Sequence, residues 1–367
     1  MSQTLTGPQG PVISFGIEIE AFSVHHKSLR TKDEDDSDTV DPAIKVACRR
    51  LQSSGLDVRF QDSPSEAYNN NHSVWKLDEE MTLIVRDFDT SGAYHVNRAQ
   101  LQLNPGLRLM AGPRNWICGA LEMKSPKYQS IEAADFDLKT LLEHMVTRTG
   151  FLPVNTDCGL HVHVGCTDET TMPLEVLKRL ALVVLVFETE IDKVHPEHRR
   201  NNDNAESNRI SFSADTSNPD ALSNGDLTFA SVSGIRSRIA SCASLIDLQR
   251  LIGDSRDRRV NFSHISNAPG LKTVEFRQHA GSIDAAEIIH WVTFCMSLVR
   301  WAYDQAGFQR CLSHIKDWQS SDIGIYDLLL MLNPPESTHQ FYLDKIRPST
   351  PRGLNFRAST RRRRRGE

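Results

Sequence analysis

The sequence predicts an α+β fold, on three observations. Segments with strand alternation recur along the chain, segments with helical periodicity separate most of them, and several neighbouring strands are spaced as hairpins. A doubly wound parallel sheet would alternate strand and helix more strictly. At 367 residues the chain can build one large core or two modest ones.

Residues 1–11 read as disordered. VISFGIEIEAFSV (12–24) alternates over its middle and predicts a strand. KDEDDSD (32–38) reads as a solvated acidic loop. In DPAIKVACRRLQSSG (41–55), Asp41 is placed as N-cap, Pro42 in the first turn and Gly55 as the stop of a helix. LDVRF (56–60) predicts a strand, and SVWKL (73–77) with MTLIVRD (81–87) a hairpin or two short strands. Residues 104–116 are loop-like, with two Pro and two Gly, and ICGALEMKSP (117–126) resumes the strand pattern up to Pro126. A helix is expected over 131–147, a strand at GLHVHVG (159–165), and a long apolar helix over about 173–194. The polar stretch 195–226 reads as an active-site loop or insertion. RRVNFSHI (258–265) and KTVEFRQHAG (272–281) predict strands, and Asp284 caps a helix over 285–305. The part from 306 to 345 is expected to be helical, and the basic end, 346–367, disordered. Residues 12–345 are therefore expected to form a single domain.

Composition excludes several classes. No apolar run approaches the roughly 20 residues of a membrane span, so LALVVLVF (180–187) reads as a buried helix. MSQTLTGPQG lacks the features of a signal peptide, which predicts a cytoplasmic protein; the terminal RRRRR adds a nuclear cue, although a solvated tail accounts for it equally well. Seven scattered cysteines without a CxxC do not suggest a zinc finger or a disulfide framework. The net charge of −5 divides into about +7 for 347–367 and −12 for the remainder (34 Lys+Arg against 46 Asp+Glu). An acidic body argues against nucleic acid as the main ligand.

Three predicted strands carry their charge on one face, and a fourth does so more mildly. In FGIEIE, Glu18 and Glu20 oppose Ile17 and Ile19; in GLHVHVG, His161 and His163 oppose Leu160, Val162 and Val164. In KTVEFRQHAG, Glu275, Arg277 and His279 oppose Val274 and Phe276, and ALEMK sets Glu122 and Lys124 against Leu121 and Met123. A single charged strand face is ordinarily just solvated. Several such faces, rich in Glu and His, make a metal-ligand set if they adjoin in one sheet, because a divalent cation offsets the cost of burying carboxylates. Many carboxylates with one or two imidazoles favour Mg²⁺ or Mn²⁺ over zinc. Mg²⁺ with few protein ligands ordinarily has phosphate oxygens in its shell, which suggests a nucleotide, with Arg277 as the positive group for phosphoryl transfer. No GxxxxGK[ST] or GxGxxG occurs, so a nucleotide would bind on the sheet rather than on a glycine-rich loop. Asn261 reads as a strand-bridging residue or a substrate contact.

FGIEIE, GLHVHVG and TVEFRQHAGSID, in that order, resemble the amidoligase family, related to glutamate–cysteine ligase and glutamine synthetase. WKLDEEMTL (75–83) is similar to the family's tryptophan strand, ALEMKSP to its Glu-x-x-Ser-Pro element, and HRRNN (198–202) falls where the family carries an arginine. The resemblance spans about residues 12–305. It implies a curved, mainly antiparallel sheet with helices packed on one face, binding ATP and two or three divalent ions. It implies a carboxylate–amine ligase that forms an amide through an acyl phosphate, releasing ADP and phosphate, with small-molecule or peptide substrates. It implies that Glu18 and Glu20 bind different metals, that Glu122 joins Glu20, and that His161 and Glu275 join Glu18. His163 would face the phosphate or the substrate carboxylate, and Arg277, assisted by Arg200 or less surely Arg199, would stabilise the transferred phosphoryl group. Glu80 stands where relatives carry Asp, two before a Ser that is Thr82 here. Two other readings stay open: a metal-dependent hydrolase using the HxH and carboxylates, and a relative that binds nucleotide without turnover.

Overall fold

The structure, a computed structural model, describes residues 12–29, 41–60, 73–83, 116–147, 149–200, 202–210, 229–266, 272–309 and 324–346. The expectations for 1–11, 32–38, 84–87, 104–115, 211–226 and 347–367 lie outside them.

Among the described residues, eight strands form one mixed sheet: β1 (Ile13–His26), β2 (Val58–Phe60), β3 (Trp75–Glu79), β4 (Trp116–Lys124), β5 (Gly150–Phe151), β6 (Gly159–Cys166), β7 (Val260–Asn261) and β8 (Thr273–Ala280). Their order is β2-β3-β4-β1-β6-β8-β7, with β5 on β1. Among these strands, only β2 and β3 pair in parallel. The helices are α1 (Pro42–Gln52), α2 (Ile131–Met145), α3 (Leu174–Asp192), α4 (Glu197–Arg200), α5 (Phe229–Ser241), α6 (Leu245–Ile252), α7 (Ala285–Tyr303), α8 (Ile325–Leu332) and α9 (Glu336–Ile346). The fold is α+β, with helices packed around a mixed sheet.

Local chemistry sets these boundaries. Asp41 accepts from the Ala43 N–H and Pro42 opens α1. Asp284 accepts from the N–H groups of Ala286 and Glu287 to start α7. The apolar strand faces (Ile17, Ile19, Leu160, Val162, Val274, Phe276) enter one hydrophobic cluster with α2, α3 and α7, extending from Ile13 to Tyr342. All six of these residues are essentially inaccessible, so the opposite face must carry the polar alternates.

Two expectations are corrected. RRVNFSHI does not continue as a strand: pairing stops after Asn261, and Ser263–Ile265 form a 3-10 turn. SVWKL and MTLIVRD do not pair within the described residues; β3 lies between β2 and β4, and a turn follows at Met81–Thr82.

Behind the sheet, His195 and His279 are buried edge-on to each other and against Trp291 of α7. Burial, then the nearby Lys345 charge, lowers His279 to about 4; burial, then His279, holds His195 well below the usual imidazole range. Both stay neutral in the fold while the unfolded chain protonates near pH 6.5. Their stabilisation is therefore present above that pH and lost as pH falls toward 4. His163, raised above its ordinary value, acts in the opposite sense. His279→Gln should accordingly shrink the stability lost between pH 7 and 5.5 by about 1 kcal/mol, measured by urea unfolding.

Candidate metal centre

Register places the charged residues in three adjacent rows, because directly paired residues share a face. The first row is Asp78, Glu122 and Glu20. The second is Lys76, Lys124, Glu18 and His161. The third is Gly16, His163, Glu275 and Asn261. Four strands thus bring Glu18, Glu20, Glu122, His161, His163 and Glu275 onto one patch, although β4, β6 and β8 are distant in sequence.

The side chains converge closely. His161 Nδ1 lies 3.4 Å from Glu18 Oε2 and 3.5 Å from Glu275 Oε1, and its Nε2 lies 3.4 Å from Glu20 Oε1. His163 Nε2 lies 3.2 Å from Glu18 Oε1 and 3.8 Å from Glu275 Oε1. Arg277 donates from Nη1 to Glu275 Oε1 at 2.6 Å. Asn261 Nδ2 donates to Glu275 Oε2 at 2.7 Å, so this carboxylate is held from both sides. Backbone packing tightens the patch at Gly159. Its N–H donates to Glu20 Oε2 at 2.6 Å, and a Cβ there would stand 2.8 Å from His161 Nε2.

Burial opposes the charges of Glu18 and Glu275, but His163 and other positive neighbours hold both carboxyls well below the usual range. Burial and then the Glu18 charge push Glu122 well above it, against Lys124 at 2.6 Å. Burial disfavours the charged His163 imidazole, yet Glu18 and Glu275 outweigh that and raise it. This surplus of buried carboxylates is what a divalent cation neutralises.

Three groups of donor atoms lie within cation-binding reach, each set within 4.8 Å: Glu18–His161–Glu275, Glu20–Glu122–His161 and His163–His264–Glu275. Carboxylate oxygens and imidazole nitrogens are suitable ligands for Mg²⁺, Mn²⁺ or a softer divalent ion. The buried Nε2 of His163 makes no hydrogen bond, which fits a cation at this patch.

The family model described as "Putative amidoligase enzyme" matches residues 11–299. The chain belongs to the amidoligase family. A search of curated proteins found no match.

The structure differs from the sequence reading at several side chains. Arg200 does not reach the patch: it donates to the backbone carbonyls of Asp192 and His195 at 3.1 and 3.2 Å. Its neighbour Arg199 is the buried one, donating to the Arg277 carbonyl at 2.7 Å and feeling the Glu20 charge. A four-residue helix turns successive side chains about 100° apart, so only one of the pair faces inward. His279 does not share a face with Glu275 and Arg277. A β-bulge shifts the register, pairing Leu160 with His279 but Val162 with Phe276, and the extra residue turns His279 to the core. Glu80 accepts from the N–H and hydroxyl of Thr82, closing a turn.

The sequence reading missed His264. As a strand residue it would alternate away from Asn261, but the 3-10 turn brings its Nε2 to 3.4 Å from Glu275 Oε2. The strand ends too early for alternation to reveal this; the Asn-x-Ser spacing, with Asn261 Oδ1 accepting from the Ser263 N–H, is the local signal of the turn. Among the described residues, no helix is long and apolar enough to cross a membrane.

Proposed function

We propose that this chain is a metal-dependent enzyme acting at the bond between a carboxyl carbon and an amine nitrogen, in a single catalytic domain spanning residues 12–345. The observation that carries this is the convergence of three Glu/His donor groups on one sheet face of an amidoligase. A divalent ion held by Glu18, His161 and Glu275, or by Glu20, Glu122 and His161, would neutralise developing negative charge and lower the pKa of bound water. Arg277, fixed by Glu275, presents a guanidinium beside those donors for an oxyanion or phosphoryl oxygen. His163 Nε2 faces the Glu18 carboxylate 3.2 Å away on the same patch.

Hydrolysis draws the more direct support from the geometry. HxH with carboxylates could hold a divalent ion that activates water and polarises an amide carbonyl, with Arg277 beside it. ATP-dependent ligation is the reading that the family carries. There a carboxylate oxygen attacks the γ-phosphorus and ADP leaves. The amine nitrogen then attacks the acyl phosphate carbon, loses a proton, and phosphate leaves. The one-sided charge of a mostly antiparallel sheet also supports the glutamine synthetase and glutamate–cysteine ligase-like architecture.

One assay separates the two. The full-length protein is incubated with Mg²⁺ or Mn²⁺ and either pooled carboxylates, amines and ATP, or an amide panel without ATP. Ligation gives ADP in step with new amide; hydrolysis gives free amine without ATP. ATP and metal binding with neither product, for any substrate pair, would contradict both and mark a chain that binds without turnover.

A further inference from the structure

The three donor groups differ in softness. Glu18–His161–Glu275 and Glu20–Glu122–His161 each offer two carboxylates and one imidazole, whereas His163–His264–Glu275 offers two imidazoles and one carboxylate. Hard Mg²⁺ prefers oxygen donors, while imidazole suits borderline ions such as Zn²⁺ and Co²⁺.

The geometry of the imidazole-rich group is built rather than incidental. His163 is buried, and its Nδ1 lies 3.1 Å from Thr273 Oγ1, which fixes the ring and presents Nε2. That buried Nε2 faces two carboxylate oxygens at 3.2 and 3.8 Å but makes no hydrogen bond, which suits it to ligate a cation. His264 Nε2 stands 3.4 Å from Glu275 Oε2, and the two rings are 5.6 Å apart between centroids. Asn261 ties the 3-10 turn that carries His264 to the same carboxylate, donating to Glu275 Oε2 and accepting from Ser263 N–H. His264 is one-third exposed, which leaves an entry path from solvent.

We propose that His163, His264 and Glu275 form a separate site for a borderline transition ion of the Zn²⁺ class. Glu275 is shared: its Oε1 faces the Glu18–His161 group and its Oε2 faces His264. The carboxylate-rich groups then take the harder ion, so the face holds two kinds of metal. Filling one site changes affinity at the other through the common carboxylate. This rests on reading the face as a metal centre.

The test uses Co²⁺ as probe. Full-length protein is stripped with chelator, placed in millimolar Mg²⁺ and titrated with Co²⁺. Bound cobalt is measured by elemental analysis after gel filtration, and imidazole ligation by visible absorption. Wild type should retain one equivalent against the Mg²⁺ excess. His264→Ala should bind it at least about tenfold more weakly, since loss of an outer partner alone costs about 10–100-fold. Glu20→Gln, outside the trio, should keep it. His264→Gln serves if the alanine variant fails to fold, with folding checked by thermal unfolding. Cobalt binding unchanged in His264→Ala or His264→Gln overturns the site. Mg²⁺ uptake by calorimetry with no cobalt retained also overturns it while leaving the metal-dependent reading standing; binding of neither ion removes both.

Discussion

Glu18→Gln is expected to lower turnover by at least about 10³-fold while the protein stays folded. Glu18 lies within 3.4 Å of both His161 and His163, at the centre of the patch. Gln keeps the shape of the side chain but donates where Glu accepted, and its neutral amide oxygen is a far weaker cation ligand. Removing one negative charge from a group crowded with carboxylates relieves repulsion on Glu122, so its carboxyl should move back toward the ordinary range. The melting temperature should therefore change by only a few degrees. Calorimetry with Mn²⁺ should show weakened binding that parallels the lost turnover. Wild-type rates in Glu18→Gln would remove Glu18 from the site.

Arg277→Ala is expected to cost a similar factor in turnover, about 10³-fold, and to cost stability as well. Its guanidinium is the closest positive group to Glu275 and also donates from Nε to the Asn204 carbonyl at 3.3 Å. Truncation leaves a buried carboxylate short of a partner, a change that typically costs about 3–5 kcal/mol. Asn261 and the neighbouring imidazoles remain, which puts the loss near the lower end. A divalent ion can substitute for the missing charge on Glu275, so adding Mn²⁺ should recover part of the stability but little of the turnover. Urea unfolding with and without Mn²⁺, alongside the rate assay, checks both halves. Equal stability of the variant and the wild type without metal would contradict the electrostatic account of the patch.

Much of the site was legible because strand alternation is a strict period of two. FGIEIE and GLHVHVG each show a polar and an apolar set, and pairing Glu18 with His161 requires nothing beyond neighbouring strands. The α+β class followed from the spacing of strands and helices. The departures share a physical origin in breaks of that period. The bulge in β8 sends His279 to the core, because one extra residue inverts every side chain beyond it. The early end of β7 turns His264 toward Glu275, a contact set by the 3-10 turn and by Asn261. The choice of Arg199 over Arg200 depends on the phase of a four-residue helix, whose docking against β8 is a tertiary contact with no local pattern. The parallel β2–β3 pair was equally hidden, since the spacing of two short strands along the chain does not tell a parallel neighbour from an antiparallel one.

The central claim is that the polar faces of β1, β4, β6 and β8 form one divalent-metal centre. The most direct measurement is a crystal structure of the full-length protein grown with Mn²⁺ and ADP, using anomalous scattering to locate the metal. The account predicts Mn²⁺ between Glu18, His161 and Glu275, with carboxylate and imidazole atoms as ligands. An anomalous map with no peak on this face, in crystals containing saturating Mn²⁺, would contradict it.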